Sequence, residues 1–178
     1  MKKDTEQIIY LADKNVDIQT DKKIRDLLIA CFPDQAVFTR QRFYHEMPAH
    51  RWFIMQNDQM IAHVALHEKE IKVEYNKIKI GGIAEVAVHP DARGRGYVRL
   101  LLKTAHEWLT KNGYSFSMLF GDKNVYTSSG YSIVESLFHY YKPDKKEWVT
   151  EIIDCAMVAN LENKKWPDGL IDLDGPMF

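Results

Sequence analysis

The sequence predicts an α/β protein built on a mixed central sheet. Residues 83–88 (I-A-E-V-A-V) form a short apolar, β-branched run bounded by Gly81-Gly82 and Pro90, which reads as a strand. After a turn rich in Pro, Asp, Arg and Gly over residues 89–96, Val98, Leu101, Leu102, Ala105 and Leu109 recur at helical spacing, and Asn112-Gly113 stops that helix. Residues 115–120 return as a strand, so this strand–helix–strand unit requires a parallel pair joined by a right-handed crossover. Hairpin patterns upstream supply antiparallel neighbours.

Taken in order, residues 7–11 (Q-I-I-Y-L) are a strand candidate. Residues 21–32 carry Ile24, Leu27, Leu28 and Cys31 at helical spacing, with Thr20 or Asp21 as cap and Pro33 as stop. Residues 37–46 (V-F-T-R-Q-R-F-Y-H-E) are aromatic and basic, a second helix or an ordered loop, broken at Met47-Pro48. Residues 51–55, the Asn57-Asp58 turn and residues 60–67 make a hairpin, and the alternating residues 70–80 add an arm before the Gly81-Gly82 break. Beyond the parallel unit, Gly121-Asp122 opens a short helix that ends at Gly130, residues 131–141 are extended, and residues 143–146 are a charged turn. A further strand is set at residues 152–158. The tail W-P-D-G-L-I-D-L-D-G-P-M-F is turn-rich, but its apolar residues between Trp166 and Phe178 predict that it docks. With no repeat, low-complexity segment or linker, one domain over residues 1–178 is expected.

A chain of 178 residues is long enough to bury a core. A net charge of −1 gives no drive toward nucleic acid or an anionic membrane. Cys31 and Cys155 suit a reducing compartment, with a single bridge left open. No apolar run approaches the ~18 residues of a membrane span, and the start M-K-K-D-T-E-Q lacks the apolar segment of a signal peptide. A cytoplasmic protein without nucleic-acid, membrane or metal partners is expected.

The chemistry concentrates at the turn before the long helix. The first N–H groups of a helix have no partner within it, and the macrodipole adds positive charge there, so a phosphate satisfies both. Gly94 and Gly96 let a ligand approach the backbone, and Arg93 and Arg95 add forked donors. The spacing is neither a P-loop nor G-x-G-x-x-G, since Arg99 stands where the third glycine would fall. Arg93, Arg95 and Arg99 lack the interleaved aromatics of a nucleic-acid patch, while a nucleotide-binding domain stays open as an alternative. Glu85 is the one charged residue in its apolar strand, a costly placement unless it faces solvent, pairs or lines a cleft. His89 reads as an exposed turn residue.

Arg93-Gly94-Arg95-Gly96-Tyr97-Val98, after the lead-in V-A-V-H-P-D, resembles the acetyl-CoA signature [Q/R]-x-x-G-x-[G/A] of the GNAT superfamily of N-acetyltransferases, with Val98 in place of its small last residue. Tyr126-Thr127-Ser128-Ser129-Gly130-Tyr131 resembles that family's Y-x-x-x-G-[F/Y] feature, although the Asn expected seven residues before the Tyr is Leu119. The recognisable motifs span residues 50–135, leaving 136–178 as C-terminal strands and tail. The resemblance implies a GNAT-type mixed central sheet with helices on both faces and a V-shaped cleft between two parallel strands. It implies acetyl-CoA as cosubstrate, its pantetheine on the backbone of Val86, Ala87 and Val88 and its phosphates on Arg93, Gly94, Arg95, Gly96, Tyr97 and Val98. Tyr126 would be the general acid that protonates the departing thiolate. Glu85 would be a base acting through water, and a small-molecule primary amine would be the acceptor. Arg42, Tyr44, His45 and Glu46 lie in the segment that borders the acceptor site in such proteins. The tail resembles the C-terminal end of nodulation N-acyltransferases, and A-R-G-R-G-Y-V resembles aminoglycoside 2′-N-acetyltransferases; jointly they imply an amino-sugar acceptor. A homodimer is left open. The alternative allowed by Leu119 and Val98 is a non-catalytic acyl-CoA-binding or regulatory module.

Overall fold

The computed structural model describes residues 7–178, so most of the M-K-K-D-T-E-Q start lies outside the described residues. The chain forms two compact units interleaved in sequence. One comprises the residues up to Leu66 with Ala84–Ala105, the other His67–Ile83 with His106–Phe178.

In the first unit, β1 (Ile8–Ala12) pairs antiparallel with β2 (His50–Gln56), and β2 with β3 (Gln59–Val73). Asn57 and Asp58, with φ of 48° and 64°, make the turn between β2 and β3; both occupy the left-handed region, which their short polar side chains tolerate. α1 (Ile18–Cys31) starts earlier than the apolar spacing indicates, because Asp17 is its cap and accepts the Thr20 N–H at 2.7 Å. Its Ile24, Leu27 and Leu28 pack with Phe38, Phe53, Met60 and Ala87 as the core of this unit. Residues 37–46 hold no second helix of any length: a 3₁₀ turn at Ala36–Thr39 gives way to an irregular segment. The last residues of β4 (Asn76–Val88) and the first turns of α2 (Tyr97–Lys111) complete the unit.

The second unit contains β5 (Phe116–Phe120), α3 (Lys123–Tyr126), β6 (Tyr131–Ile133), β7 (Leu137–Lys142), β8 (Glu147–Ile152), β9 (Ala156–Asn160) and β10 (Leu170–Pro176). With the parts of β3 and β4 that fall in this unit, the strand order is β6-β9-β5-β4-β3-β10-β7-β8. β4 and β5 are parallel, Ile80 opposite Phe116 and Gly82 opposite Met118, as the crossover requires. β10 and β7 are a second parallel pair, whereas β5–β9, β6–β9, β7–β8 and β3–β10 are antiparallel, so the sheet is mixed. Ile71, Ile80, Phe116, Met118, Phe138, Ile171 and Leu173 belong to its buried core.

Four expectations are corrected. Gly81-Gly82 is no break, for β4 runs straight through it. A Cβ on Gly81 would sit 2.4 Å from a Leu109 methyl carbon and one on Gly82 2.8 Å from the Phe178 ring, so these glycines serve close packing. Residues 131–141 divide into β6 and β7. The strand set at 152–158 is two, since β8 ends at Ile152 and β9 begins at Ala156. The turn-rich tail contains β10, inserted between β3 and β7. Trp166 packs edge-on against Phe116 and donates its indole N–H to Ser136 Oγ at 3.0 Å.

Candidate active site

Local bonds and backbone conformation set the glycine-rich turn. Past β4, His89 Nδ1 accepts the Asp91 N–H at 3.3 Å and opens the 3₁₀ turn Pro90–Ala92, in which Ala92 N–H closes on the His89 carbonyl at 2.8 Å. Arg93 folds back to donate Nε to the Val88 carbonyl at 3.3 Å, and Cys31 Sγ donates to the same oxygen at 3.2 Å. That carbonyl is therefore committed within the protein. Gly94 and Gly96 have φ of 77° and 81°, and a Cβ on either would meet nothing within 4 Å. Conformation, not crowding, demands glycine there. The first bond within α2 runs from Leu100 N–H to Gly96 O at 3.1 Å, so the amides of Val98 and Arg99 precede the helical ladder. Oriented amides, a helix dipole and two arginines form a cradle suited to an anion.

Glu85 lies on the same strand, in the same unit. Its φ of 43° breaks the extended run. Oε1 accepts the Tyr44 N–H at 3.0 Å, while Oε2 is enclosed with no hydrogen-bond partner among the described residues. Burial pushes the carboxyl pKa up to about 7, against the opposing pull of the Arg51 guanidinium and the Tyr44 amide, with a smaller upward push from Asp13. Linked to it is a buried polar set that sequence reasoning missed, Asp13, Arg51 and His63, exposed by 1%, 0% and 0%. Arg51 Nε donates to Asp13 Oδ1 at 2.5 Å, and Arg42 Nη2 to Asp13 Oδ2 at 2.6 Å. Burial would raise the Asp13 pKa, but its two arginines hold it below the usual carboxylate range. Burial, reinforced by the charge of Arg51, depresses His63 to about 3, so its ring is neutral. The signal that singles out Glu85, a polar residue in an apolar strand, is present at Arg51 in R-W-F-I-M and at His63 in I-A-H-V-A-L.

Tyr126 stands in the second unit, at the end of α3, which Asp122 caps by accepting the Asn124 N–H at 2.8 Å. Its ring lies edge-on to Tyr131, with centroids 6.2 Å apart. It also fills the space where a Cβ on Gly121 would sit, 2.4 Å away. Burial and the charge of Asp122 raise its pKa, so the phenol keeps its proton at neutral pH. Tyr131 is anchored by Ser117 Oγ at 2.6 Å and His106 Nε2 at 2.8 Å. Leu119 is a buried core residue.

Residues 14–134 match the model of the acetyltransferase (GNAT) domain. The chain belongs to the GNAT acetyltransferase family. Its fold is that of the GNAT N-acetyltransferase YhbS from Escherichia coli, solved in complex with CoA, at 18% identity over 94% of this chain and 90% of that one, with a TM-score of 0.64. A GNAT acetyltransferase from Brucella melitensis, solved with acetyl-CoA, is similar at 14% identity over 93% and 95% of the two chains, with a TM-score of 0.60. Escherichia coli ElaA is similar at 17% identity over 87% and 99%, with a TM-score of 0.61. No curated protein matches by sequence. As a GNAT protein the chain is an acyl-CoA-dependent N-acyltransferase.

Within this GNAT protein, Glu85, Val86, Ala87, Val88, Arg93, Gly94, Arg95, Gly96, Tyr97 and Val98 fall together in the first unit, and Tyr126 in the second. Of the segment expected to border the acceptor, Arg42 has its guanidinium engaged by Asp13 and Asp21. Tyr44 is partly exposed, its ring 4.2 Å from that of His45. Among the described residues no helix is long and apolar enough to cross a membrane.

Proposed function

We propose that this GNAT protein transfers an acetyl group from acetyl-CoA to a primary amine of a small molecule, with Glu85 as general base and Tyr126 as general acid. The observation that carries the reading is the Glu85 carboxyl group on β4, with Oε1 on the Tyr44 amide at 3.0 Å and Oε2 enclosed without a hydrogen-bond partner among the described residues, a burial that pushes its pKa up to about 7. An amine must lose a proton before it attacks a thioester. For a lysine-like amine this costs about 4.6 kcal/mol at pH 7, from a pKa near 10.4 at about 1.36 kcal/mol per pH unit. A base whose pKa lies near the working pH is suited to take that proton, directly or through water. Tyr126, protonated at neutrality, gives its proton to the departing thiolate of CoA. The turn at Arg93, Gly94, Arg95, Gly96, Tyr97 and Val98 binds the phosphates of CoA, and the backbone of Val86, Ala87 and Val88 meets the pantetheine. The reading treats residues 1–178 as one acyltransferase domain. It places the protein in the cytoplasm, where the free Cys31 and Cys155 suit a reducing environment. Amino sugars are the first acceptors to try, on the local resemblances of the tail and the turn.

The test is thiol release from acetyl-CoA across amino sugars, polyamines, peptides and amino acids, with Glu85→Gln as control. Amine-dependent release that falls in the variant is the expected result. Stabilisation by acetyl-CoA with no release from any amine would replace the reading with an acyl-CoA-binding module.

A further inference from the structure

The backbone of Glu85 is as unusual as its side chain. A φ of 43° lies in the left-handed region, which disfavours a residue carrying a Cβ by about 1–2 kcal/mol, so neighbouring structure must hold it. The group that does so is on β3, where His63 Nδ1 lies 2.9 Å from the Glu85 carbonyl oxygen. Arg51 decides the direction of this bond. A guanidinium only donates, so Arg51 Nη1, 3.0 Å from His63 Nε2, makes Nε2 the acceptor. The ring proton then sits on Nδ1 and is donated to Glu85. Arg51 is itself fixed, by Nε on Asp13 and by Nη2 on the Arg42 carbonyl at 3.1 Å. The segment that holds Arg42 also supplies the Tyr44 amide to the Glu85 carboxylate. Glu85 is thus gripped at its carbonyl through His63 and at its carboxyl through Tyr44, and both grips lead back to Arg51 and Asp13.

We propose that His63, locked by Arg51 as the Nδ1–H tautomer, is the positioning residue of Glu85, holding the strained backbone that aims its carboxyl group at the Tyr44 amide. The inference rests on Glu85 being the base. The titratable and charged groups that face Glu85 are Arg51 from β2, Asp13 from the turn after β1 and His63 from β3, with Arg42 reaching Asp13 from the irregular segment. His63 stays neutral across the working range, so its part is geometric. Without its grip the carboxyl group leaves the Tyr44 amide, which favours the ionised form, and the base holds its proton to higher pH.

The test compares His63→Leu, His63→Asn, His63→Gln and Glu85→Gln by pH profile and by the thermal shift that CoA induces. The amide of Asn puts an N–H near the Nδ1 position, and that of Gln near Nε2. His63→Leu should lower kcat/KM by about 10²-fold, move the ascending limb of its pH profile upward, and keep the CoA shift. His63→Asn should keep the wild-type limb, and His63→Gln should behave like His63→Leu. If His63→Leu does not fold, the Asn–Gln contrast carries the test. An unchanged limb in His63→Leu, or Asn and Gln variants that match each other, overturns the inference. Loss of activity in Glu85→Gln with silent His63 variants overturns it alone, whereas wild-type turnover in Glu85→Gln overturns the base reading and this inference with it.

Discussion

Glu85 keeps its proton to about pH 7 because burial disfavours the carboxylate more than Arg51 and the Tyr44 amide favour it. The rate should therefore rise through about pH 7 as the base ionises. Glu85→Gln should abolish that limb and lower kcat by about 10²–10⁴-fold; steady-state assays from pH 5.5 to 8.5 measure both. Tyr126→Phe removes one hydroxyl and leaves the ring against Tyr131 and in the space beside Gly121. It should lower kcat within the same range while CoA binding holds, and wild-type turnover would reduce Tyr126 to a packing residue. Gly96→Glu introduces two effects that separate in one experiment. The left-handed φ of 81° should lower the stability of the ligand-free protein by about 1–2 kcal/mol. The new carboxylate should also abolish the CoA-induced shift, which at 100 times Kd is worth about 2.7 kcal/mol in the unaltered protein. A shift that survives would remove the turn from CoA binding.

At the scale of elements, β10 is the decisive case. Ile171 and Leu173 are buried in the core of the second unit, and fully burying two such side chains is worth about 3–6 kcal/mol, a large share of a total of roughly 5–15 kcal/mol. Deleting residues 170–178 should therefore unfold this unit, as loss of near-UV circular dichroism would report. A folded truncated protein would show that β10 is dispensable. This strand is poorly written in the sequence. D-L-D-G-P carries two acids, a glycine and a proline, and its register shifts between Asp172 and Pro176, so local chemistry reads it as a turn while its neighbours β3 and β7 make it a strand. Gly81-Gly82 misleads for the same reason, since what makes glycine necessary there is Leu109 and Phe178. α2 and its turn were legible because their signals are local: apolar residues at helical spacing, Pro90 at the head of a 3₁₀ turn, and glycines where φ is positive. At the candidate site, Glu85 stood out as a charge in an apolar strand. Its dependence on Asp13, Arg51 and His63 did not, because those bonds join residues 12 to 38 positions apart.

For the whole molecule, buried titration sets the acid limit. His63 and His106 titrate near 6.5 when unfolded but are held neutral down to about 3 and about 4, in both cases by burial first. Their contribution to stability is complete above 6.5 and is lost as pH falls. Glu85 has the opposite sign: the folded state holds its proton between about 4.5 and 7, so that contribution is present below 4.5 and lost as pH rises through 7. Between about pH 4.5 and 6.5, two protons taken up on unfolding oppose one released, leaving a net uptake of about one. Stability should fall on acidification by about 1.4 kcal/mol per pH unit and level off near pH 7. Thermal melts across pH 4–8 check this, with His106→Gln expected to flatten the slope and a constant Tm from pH 4.5 to 6.5 counting against it. The position of β10 also bears on how the protein is made. Asp172 pairs with Lys72, one hundred residues earlier in the chain, so at roughly 5–20 residues per second a ribosome needs about 5–20 s to deliver the partner of that edge of β3. During that interval Ile71 and Val73 wait beside an unfilled strand position, open to the same edge on the next nascent chain of a polysome. Yield should therefore depend on the spacing of ribosomes along the message as well as on the sequence they read.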